Sequence, residues 1–381
     1  MEEKHRLSSS RVRLRKTLFF TLLLLLLLSS SVDADDASVM QDFKKSLKTL
    51  PSGWEATDPS TWTGVQWSKD NRVTRIRIRQ QNLTGSLPPN LGNLTALQSL
   101  DIAHNQLTGP LPSLAGLSSV QDLLLSNNEF TSIPPDFFTG MISLQQVSLD
   151  YNSFSPWVIP DSLRAASALQ VFSATNASIS GKIPDFFGGD TFAGLTQLHL
   201  AFNLLEGELP KSFSGSTIQS LWLNGQKSTS KLTGRIDVLQ NMTQLSEVWL
   251  HSNSFSGPLP DLSGLTQLQN FSVRDNSFSG PVPGSLMGLK SLQVVNLTNN
   301  MLQGPTPEFG PSVAVDVSVN TNSFCLPDPG VNCDIRVSQL LDVAQSMEYP
   351  KVFAENWKGL EGRGRGRRRR RRRRRRRNQG E

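Results

Sequence analysis

The side chains best suited to chemistry in this sequence are aromatic and polar groups that return at equivalent points of a repeated pattern. His199, Trp222 and Trp249 hold the same position in three successive copies. Tryptophan and arginine carry much of the binding energy at protein interfaces, because they combine large contact areas with hydrogen-bond donors. We predict that one binding surface, called the aromatic patch below, is formed by His199, Phe202, Trp222, Asn224, Glu247, Trp249, His251, Arg274 and Asp275.

Catalytic and metal chemistry find little support in the sequence. The four histidines lack a nucleophile partner in a recognisable motif, and no phosphate-binding loop, serine-hydrolase elbow or kinase signature occurs. His199 and His251 stand two repeats apart in offset columns, with no cysteine or carboxylate companion at metal-ligand spacing. We therefore predict no catalytic residue, no metal site and no cofactor.

The elements that position the patch are copies of a pattern L-x-L-x-x-N-x-L-x-G-x-[ILV]-P. Copies recur every 23 to 27 residues, within the roughly 20–29 residues of leucine-rich repeats. The first apolar residues of the L-x-L segment are Ile76, Leu100, Leu123, Val147, Phe172, Leu198, Leu221, Val248, Phe271 and Val295. They predict an α/β repeat fold, a right-handed leucine-rich-repeat solenoid with a parallel concave sheet, its ten repeats spanning residues 73–312.

Each L-x-L segment predicts a short strand whose leucines point inward, so the residue between them points out of the concave sheet. That column contains Ser148, Ser173, His199, Trp222, Trp249, Ser272 and Asn296. Strands lie about 4.8 Å apart, so the three aromatic rings could form a ladder about 10 Å long. The alternative is that these rings only tile the strands or pack against each other.

A column of asparagines follows the strands. Their amides are predicted to bond the backbone of neighbouring turns, which is a structural role. The column comprises Asn105, Asn128, Asn152, Asn203, Asn253, Asn276 and Asn300. Gln81, Ala177 and Gln226 replace the asparagine, so we expect those turns to be looser or differently bonded. Irregular stretches at 188–190 and 227–231 are expected in loops, often beside a binding face.

The chain begins with a predicted signal peptide over residues 1–34. Six basic residues precede an apolar run at 17–28, too short for a bilayer that needs about 20 residues. The alternative is an uncleaved membrane anchor. An N-terminal cap over 35–72 follows, with Val39, Phe43, Leu47 and Leu50 on one face of a short helix and three tryptophans before the first repeat.

The C-terminal cap is predicted over residues 313–359. Val313, Val315 and Val317 alternate as in a terminal strand, and Val337, Leu340, Leu341 and Ala344 mark an amphipathic helix. Cys325 and Cys333 are the two cysteines of a chain with a secretory signal, so they are expected to form a disulfide. A free thiol pair or a metal site is the alternative.

Charge is unevenly distributed. The formal net charge is +6, but residues 361–381 hold thirteen arginines. Between residues 35 and 360 there are 19 basic and 27 acidic side chains, an excess of about 8 negative charges. An acidic solenoid argues against nucleic-acid binding. The tail at 360–381 is either an artefact of the gene sequence or a nuclear-localisation or polyanion-binding segment.

Six N-x-S/T sequons fit a secreted surface. The predicted glycosylation sites are Asn82, Asn93, Asn176, Asn241, Asn270 and Asn296. Asn270 and Asn296 fall on strand positions of the concave face. Glycans there would confine the open face to the fourth through eighth repeats.

Several long strings resemble the ectodomain of the plant transmembrane-kinase (TMK) receptor-like kinases. They are LAFNLLEGELP (200–210), SLWLNGQ (220–226), EVWLHSN (247–253), SFCL (323–326) and FAENWKG (353–359). The resemblance covers about 35–359 and implies plasma-membrane Ser/Thr kinases of auxin-linked growth signalling. It also implies two repeat blocks around a non-repeat island, and auxin-binding proteins as partners. It stops at Gly359, before the second block, membrane helix and kinase, so we expect no kinase activity here.

The family's cap pattern D-P-C-x-W-x-x-V-x-C, whose cysteines the resemblance implies to be disulfide-linked, reads DPSTWTGVQW over residues 58–67. Both cysteines are replaced, by Ser60 and Trp67. A short-loop disulfide contributes about 2–4 kcal/mol, so a less stable first repeat is expected.

Together these features predict the ligand- or partner-recognition module of a TMK-like receptor kinase, extracellular through the secretory pathway. Expected partners are an extracellular protein, peptide or small molecule, with a co-receptor or auxin-binding protein implied by resemblance. Two alternatives stay open. One is a free secreted inhibitor or decoy, and the other is polyanion binding through the arginine tail.

Overall fold

The computed structural model describes residues 35–318 and 321–356. The predicted signal peptide, the end of the FAENWKG string and the arginine tail lie outside the described residues. Within them, the chain winds into a solenoid whose concave face is one 12-stranded sheet.

The strands, in chain order, alternate for most of the chain between the concave sheet and shorter ladders beside it. The first ten are β1 Val65–Trp67, β2 Val73–Arg77, β3 Thr84–Gly85, β4 Ser99–Asp101, β5 Gln106–Pro110, β6 Asp122–Leu124, β7 Glu129–Ser132, β8 Gln146–Ser148, β9 Val171–Ser173 and β10 Ser180–Gly181. The others are β11 Gln197–His199, β12 Leu204–Leu205, β13 Ser220–Trp222, β14 Thr233–Gly234, β15 Glu247–Trp249, β16 Ser254–Gly257, β17 Asn270–Ser272, β18 Ser277–Pro281, β19 Val294–Asn296, β20 Met301–Gln303 and β21 Ala314–Asp316.

Short helices complete the turns and caps. The α-helices are α1 Asp36–Ser46, α2 Gly284–Met287, α3 Ile335–Gln345 and α4 Lys351–Asn356. Six 3₁₀ helices among the described residues are Pro59–Thr61, Leu91–Asn93, Asp161–Ala165, Asp185–Phe187, Lys211–Phe213 and Asp237–Asn241.

The concave sheet confirms the predicted repeat. Its strand order is β1-β2-β4-β6-β8-β9-β11-β13-β15-β17-β19-β21, antiparallel only between β1 and β2 among the described strands. Every predicted inward residue, from Ile76 to Val295, is fully buried, and all but Ile76 lie at the centre of a three-residue strand. Val315 occupies the same place in β21 but is 39% exposed, because no following strand covers it among the described residues. The predicted terminal strand is therefore the eleventh turn of the solenoid.

The L-x-G segments form a second set of parallel ladders, β3-β5-β7, β10-β12 and β14-β16-β18-β20. The inserted residues 227–231 directly precede Leu232 and β14. Among the described residues, a single bridge from Gly207 to Leu232 joins this part of the side ladder to the turn that contains β12. The insertion therefore interrupts the side ladder and leaves the concave register intact, since β13 and β15 still pair through Leu221 and Val248.

The asparagine column has its predicted structural role. The Asn105 Nδ2 donates to the carbonyls of Ile78 and Ile102, both at 2.9 Å. Its Oδ1 accepts from the amides of Gln81 at 3.0 Å and Leu83 at 3.1 Å. One side chain thereby satisfies the backbone of two turns.

The three replacements of the asparagine behave differently. Ala177 leaves its carbonyl to the Trp157 indole, which donates at 2.7 Å, and the Gln81 side chain accepts from the Ser52 amide at 3.0 Å. Both turns are differently bonded, as predicted. The prediction is wrong for Gln226, whose longer side chain bonds the carbonyls of Leu200 and Leu223 as an asparagine does. It is 2% exposed.

The N-terminal cap closes the first repeat with apolar and aromatic side chains. Val39 and Phe43 of α1 are fully buried, and Trp54 stacks on Trp62 with ring centroids 4.5 Å apart. The helix ends at Ser46, because the chain turns to pair with β3 through Leu47. Leu50 is 45% exposed, so its assignment to the helical apolar face is wrong.

The C-terminal cap confirms the predicted disulfide between Cys325 and Cys333, whose Cα atoms lie 5.7 Å apart. In α3, Ala344 is buried but Leu340 is 41% exposed. The prediction that the two residues share one apolar face is therefore wrong for Leu340. After α3 the chain returns along the side ladder, where the Ser279 hydroxyl donates to the Tyr349 carbonyl at 2.7 Å.

Trp67 stands where the family resemblance implies a cysteine, and it binds the segment next to the other replaced position through a hydrogen bond. Its indole donates to the Pro59 carbonyl at 3.2 Å, beside Ser60. Introducing Ser60→Cys with Trp67→Cys should restore the missing cross-link and make the oxidised variant more stable than its reduced form by about 2–4 kcal/mol. Thermal unfolding with and without reductant measures this.

Reduction also opens Cys325–Cys333, so the unmodified chain with and without reductant is the control. An oxidised double variant that gains nothing beyond that control would contradict the proposed equivalence. It would also count against the prediction that the replacement of both cysteines makes the first repeat less stable.

Candidate ligand-binding face

The aromatic patch lies on the concave strands β11, β13 and β15. His199 pairs in register with Trp222, and Trp222 with Trp249. The His199 imidazole stacks on the Trp222 indole with centroids 4.1 Å apart and planes 16° from parallel. No ring contact joins Trp222 to Trp249 among the described residues. The predicted three-ring ladder is therefore two rings long.

Trp249 instead meets His251 of the same repeat, edge to face at 6.0 Å. This separates the patch into two aromatic pairs. Both tryptophans are half-buried, so part of each ring surface is open to the concave side.

Glu247 connects the first pair to its surroundings. Its Oε2 accepts from the Ser220 hydroxyl at 3.0 Å and the Trp222 indole at 3.3 Å, and its Oε1 accepts from Asn270 at 3.2 Å. Since the Ser220 hydroxyl donates to Glu247, it accepts from His199 Nε2 at 2.9 Å. This network assigns the neutral His199 proton to Nε2 and leaves Nδ1 as an acceptor.

Both patch histidines favour the neutral form. Burial lowers the pKa of His199, while the charges of Asp150 and Glu247 oppose that shift. Burial lowers the pKa of His251 as well, Arg274 lowers it further, and Asp275 opposes both. With pKa values below the usual 6.5, both imidazoles are neutral at pH 7.

Two polar groups of the patch lack protein partners within the described part of the chain. His251 Nδ1 is buried without a hydrogen bond. Asn224, 6% exposed, also makes no side-chain hydrogen bond. The two residues are neighbours across the sheet, since the Gly225 amide donates to the His251 carbonyl. An unpaired buried polar group costs free energy, so His251 Nδ1 favours a ligand that pairs with it. The Asn224 amide is free to bond the same ligand.

Phe202 and the Arg274–Asp275 pair frame the patch. Phe202 has a φ of 57° and its ring lies on Gly225, where an added Cβ would come within 2.6 Å. It is nevertheless 41% exposed. Arg274 Nε binds the Asp275 carboxylate at 2.9 Å, which holds both charges at the rim.

The sequence pattern did not identify several concave residues that shape this face. Ser220 and Asn270 donate hydrogen bonds to Glu247. Their outward positions on the strands are the signal that could have indicated this role. Asp150 accepts from the hydroxyls of Ser126, Ser148 and Ser173 at 2.6–2.9 Å. That carboxylate is held by its own chain and serves as a polar brace beside the patch.

The irregular stretch at 188–190 lies elsewhere. Gly189 and Asp190 line a cavity of about 450 Å³ together with Lys211 and Ser212 of the next repeat. No residue of the aromatic patch lines it. By contrast, the other insertion reaches the rim of the concave face, because Lys227 Nζ donates to Asn176 at 2.6 Å.

The predicted glycosylation sites fall on two kinds of surface. Asn82, Asn93 and Asn241 are exposed, whereas Asn176, Asn270 and Asn296 are half-buried. Asn270 and Asn296 lie in β17 and β19, as their strand positions predict.

The described residues contain neither a cluster of metal ligands nor a helix fit to span a membrane. No group of three or more histidine, cysteine or carboxylate side chains is arranged to hold a metal ion in the described ranges. In residues 35–318 and 321–356, no helix has the length and apolar character of a membrane span.

Known proteins place this architecture in a family. The Leucine Rich Repeat family model matches residues 96–117 and 119–141. The receptor-like kinase TMK2 of Arabidopsis thaliana is 49% identical over 328 residues, covering 85% of this chain and 37% of TMK2. The rice receptor protein kinase WSS1 is 42% identical, covering 86% of this chain and 35% of its own length. Over 85% of its length the chain is therefore similar to the TMK receptor-like kinases. The resemblance predicted from the sequence strings is confirmed.

The chain spans little more than a third of the length of these curated relatives. Solved ectodomains share its architecture. The Arabidopsis receptor kinase HAESA, in complex with the peptide hormone IDA and the co-receptor SERK1, superposes with a TM-score of 0.66 at 25% identity. That match covers 76% of this chain and 50% of HAESA. The TDR receptor superposes with a TM-score of 0.60 at 30% identity, and the match covers 67% of this chain and 44% of the TDR receptor.

Proposed function

We propose that the concave face of this solenoid recognises an extracellular peptide through the aromatic patch, as the sensor part of a TMK-type receptor. The observation that carries the proposal is the partly open Trp222 and Trp249 rings beside the unpaired groups of His251 and Asn224. Exposed aromatic rings supply contact area, and unpaired polar groups supply orientation and specificity.

The relatives support this choice of ligand. HAESA is a related ectodomain in complex with a peptide hormone and a co-receptor. The proposal accordingly includes a co-receptor, an extracellular location, glycans at the six sequons and a recognition role without catalysis. A narrower proposal is that the partner bound at this face is an auxin-binding protein, as the family resemblance implies.

The experiment pans the secreted full chain against a random linear-peptide library and measures binding of the enriched peptides by calorimetry. Replacing Trp222 and Trp249 together by alanine should leave folding intact, because both lie outside the buried core. It should weaken peptide binding by about 30-fold or more, since interface hot spots contribute at least about 2 kcal/mol.

The matched control is Ile142→Ala with Val158→Ala, two exposed apolar residues outside the concave sheet (59% and 63% exposed). That variant should bind like the unmodified chain. Equal affinity of the tryptophan variant for peptides that the control also binds would refute the proposed site.

A further inference from the structure

A second charged feature lies at the other end of the concave sheet, in the first repeat. Arg75 and Arg77 belong to β2, and Arg79 follows two residues later. Between them Ile76 and Ile78 are fully buried. Because strand side chains alternate, Arg75 and Arg77 share the outward, concave side. Arg79 continues the same two-residue spacing at the start of the turn that follows β2. Arg77 and Arg79 are exposed and Arg75 is half-buried. We call this set the arginine ladder.

The arginine ladder has no charge partner in the described structure. No ion pair or side-chain hydrogen bond involves these three guanidinium groups among residues 35–318 and 321–356. By contrast, Arg72, Arg164, Arg235 and Arg274 each bind a carboxylate. Asp101 lies on the adjacent strand β4, in register with Arg77, and Asp122 lies one strand further, on β6. Neither forms an ion pair with the ladder.

General basicity does not explain the arginine ladder, because the folded part of the chain carries about 8 more acidic than basic side chains. Three cations without ion-pair partners at alternate positions from Arg75 to Arg79 repel each other. An anion bound across them would relieve that repulsion. Guanidinium groups suit carboxylates in particular, since their planar fork donates two parallel hydrogen bonds.

We propose that the arginine ladder is a binding site for an acidic peptide segment in extended conformation. Alternate residues of a strand lie about 6.6–6.8 Å apart. Alternate side chains of an extended peptide have the same spacing. Carboxylates at every second peptide position can therefore meet Arg75, Arg77 and Arg79 in order.

The site is separate from the aromatic patch. Five strand steps lead from β2 to β11 in the sheet order, which at about 4.8 Å per step is about 24 Å. The two sites can therefore be tested independently. Trp222→Ala with Trp249→Ala should leave acidic-peptide binding at the ladder unchanged.

The test must report on single arginines, because the arginines at 367–377 of the full chain also attract anions. Phenylglyoxal modifies free arginine side chains, and peptide mapping by mass spectrometry gives the rate at each one. The probe is acetyl-Glu-Ser-Glu-Ser-Glu-Ser-amide. At a peptide concentration of about five times the dissociation constant, about one sixth of the sites are unoccupied. Modification of Arg77 and Arg79 should therefore be about sixfold slower.

Matched peptides and variants define the outcome. The same peptide with glutamine for glutamate should not protect. Arg77→Gln should abolish protection of Arg79, Arg77→Lys should weaken it by losing the planar fork, and Arg164→Gln should leave it intact. All these positions are exposed, so the variants should fold.

Three results would overturn the proposal. The first is equal protection by Glu-Glu-Glu-Ser-Ser-Ser, which has the same charge without the spacing. The second is stronger protection by an oligogalacturonate at equal carboxylate concentration, or by inorganic sulfate. The third is protection of Arg79 that persists in Arg77→Gln.

Discussion

Replacing Asn203 by alanine should destabilise the centre of the solenoid by about 3–5 kcal/mol, more than most single substitutions. Asn203 is fully buried. Its Nδ2 donates to the carbonyls of Ala174 at 2.7 Å, Leu200 at 3.0 Å and Ala201 at 3.2 Å. Its Oδ1 accepts from the amides of Ala177 and Ile179. Alanine would leave the Ala174 carbonyl and the amides of Ala177 and Ile179 without these partners, whereas the Leu200 and Ala201 carbonyls keep a second donor each.

Repeat proteins are stabilised by contacts between neighbouring turns, so the loss should be local before it is global. Hydrogen exchange should show loss of amide protection at Ala177 and Ile179, and denaturant unfolding should shift to a lower midpoint or separate into two steps. Gln197→Ala is the matched control, because it removes an exposed amide from the same repeat. A loss no larger than that of Gln197→Ala would show that water replaces the asparagine at little cost.

Replacing Asp36 by alanine should destabilise the N-terminal cap by about 3–5 kcal/mol, the usual cost of breaking a buried ion pair from one side. The Asp36 side chain is fully buried and pairs with Arg72 Nε at 3.0 Å. It also accepts from the Val73 amide at 2.6 Å, where β2 begins. The carboxylate thus fixes α1 to the first strand of the repeat. Its loss removes this partner of the Val73 amide and leaves Arg72 without a charge partner, with only its hydrogen bond to Thr95 at 2.8 Å.

Limited proteolysis should then cut residues 35–75 before the middle repeats, and thermal unfolding should begin at a lower temperature. Asp70→Ala serves as control, because Asp70 lies in the same cap but its exposed carboxylate forms no ion pair or hydrogen bond among the described residues. Adding Arg72→Ala to Asp36→Ala should restore part of the stability, since it removes the unpaired cation. A double variant that is less stable by the sum of the two single losses would contradict a direct pairing role.

The repeat period predicted much of the fold, for a local reason. Each turn places its residues in the same environment as the turn before it, so the pattern alone assigns inward and outward positions. Leu221 and Val248 are buried where the period puts them. Asn105 bonds two turns as predicted. The cysteine pair was predictable because the chain carries a predicted secretory signal and only two cysteines.

The pattern failed where the solenoid ends and where one residue type imitates another. Leu50 and Leu340 continue a helical spacing but are exposed. The chain has left the helix before Leu50, and Leu340 lacks a neighbour that buries it. Gln226 departs from the consensus yet forms the column's bonds. One extra methylene lets its amide reach the same carbonyls, and a consensus does not encode that reach.

The sequence by itself determined which side chains share the concave face, because strand alternation and repeat register depend only on position along the chain. The tertiary structure decided which of them touch. It stacked His199 on Trp222, turned Trp249 toward His251, gathered three donors on Glu247 and left Arg75, Arg77 and Arg79 without partners. These contacts join residues one repeat or more apart in sequence, or depend on side-chain rotamers. Packing against neighbouring turns sets those rotamers, and no spacing rule specifies them.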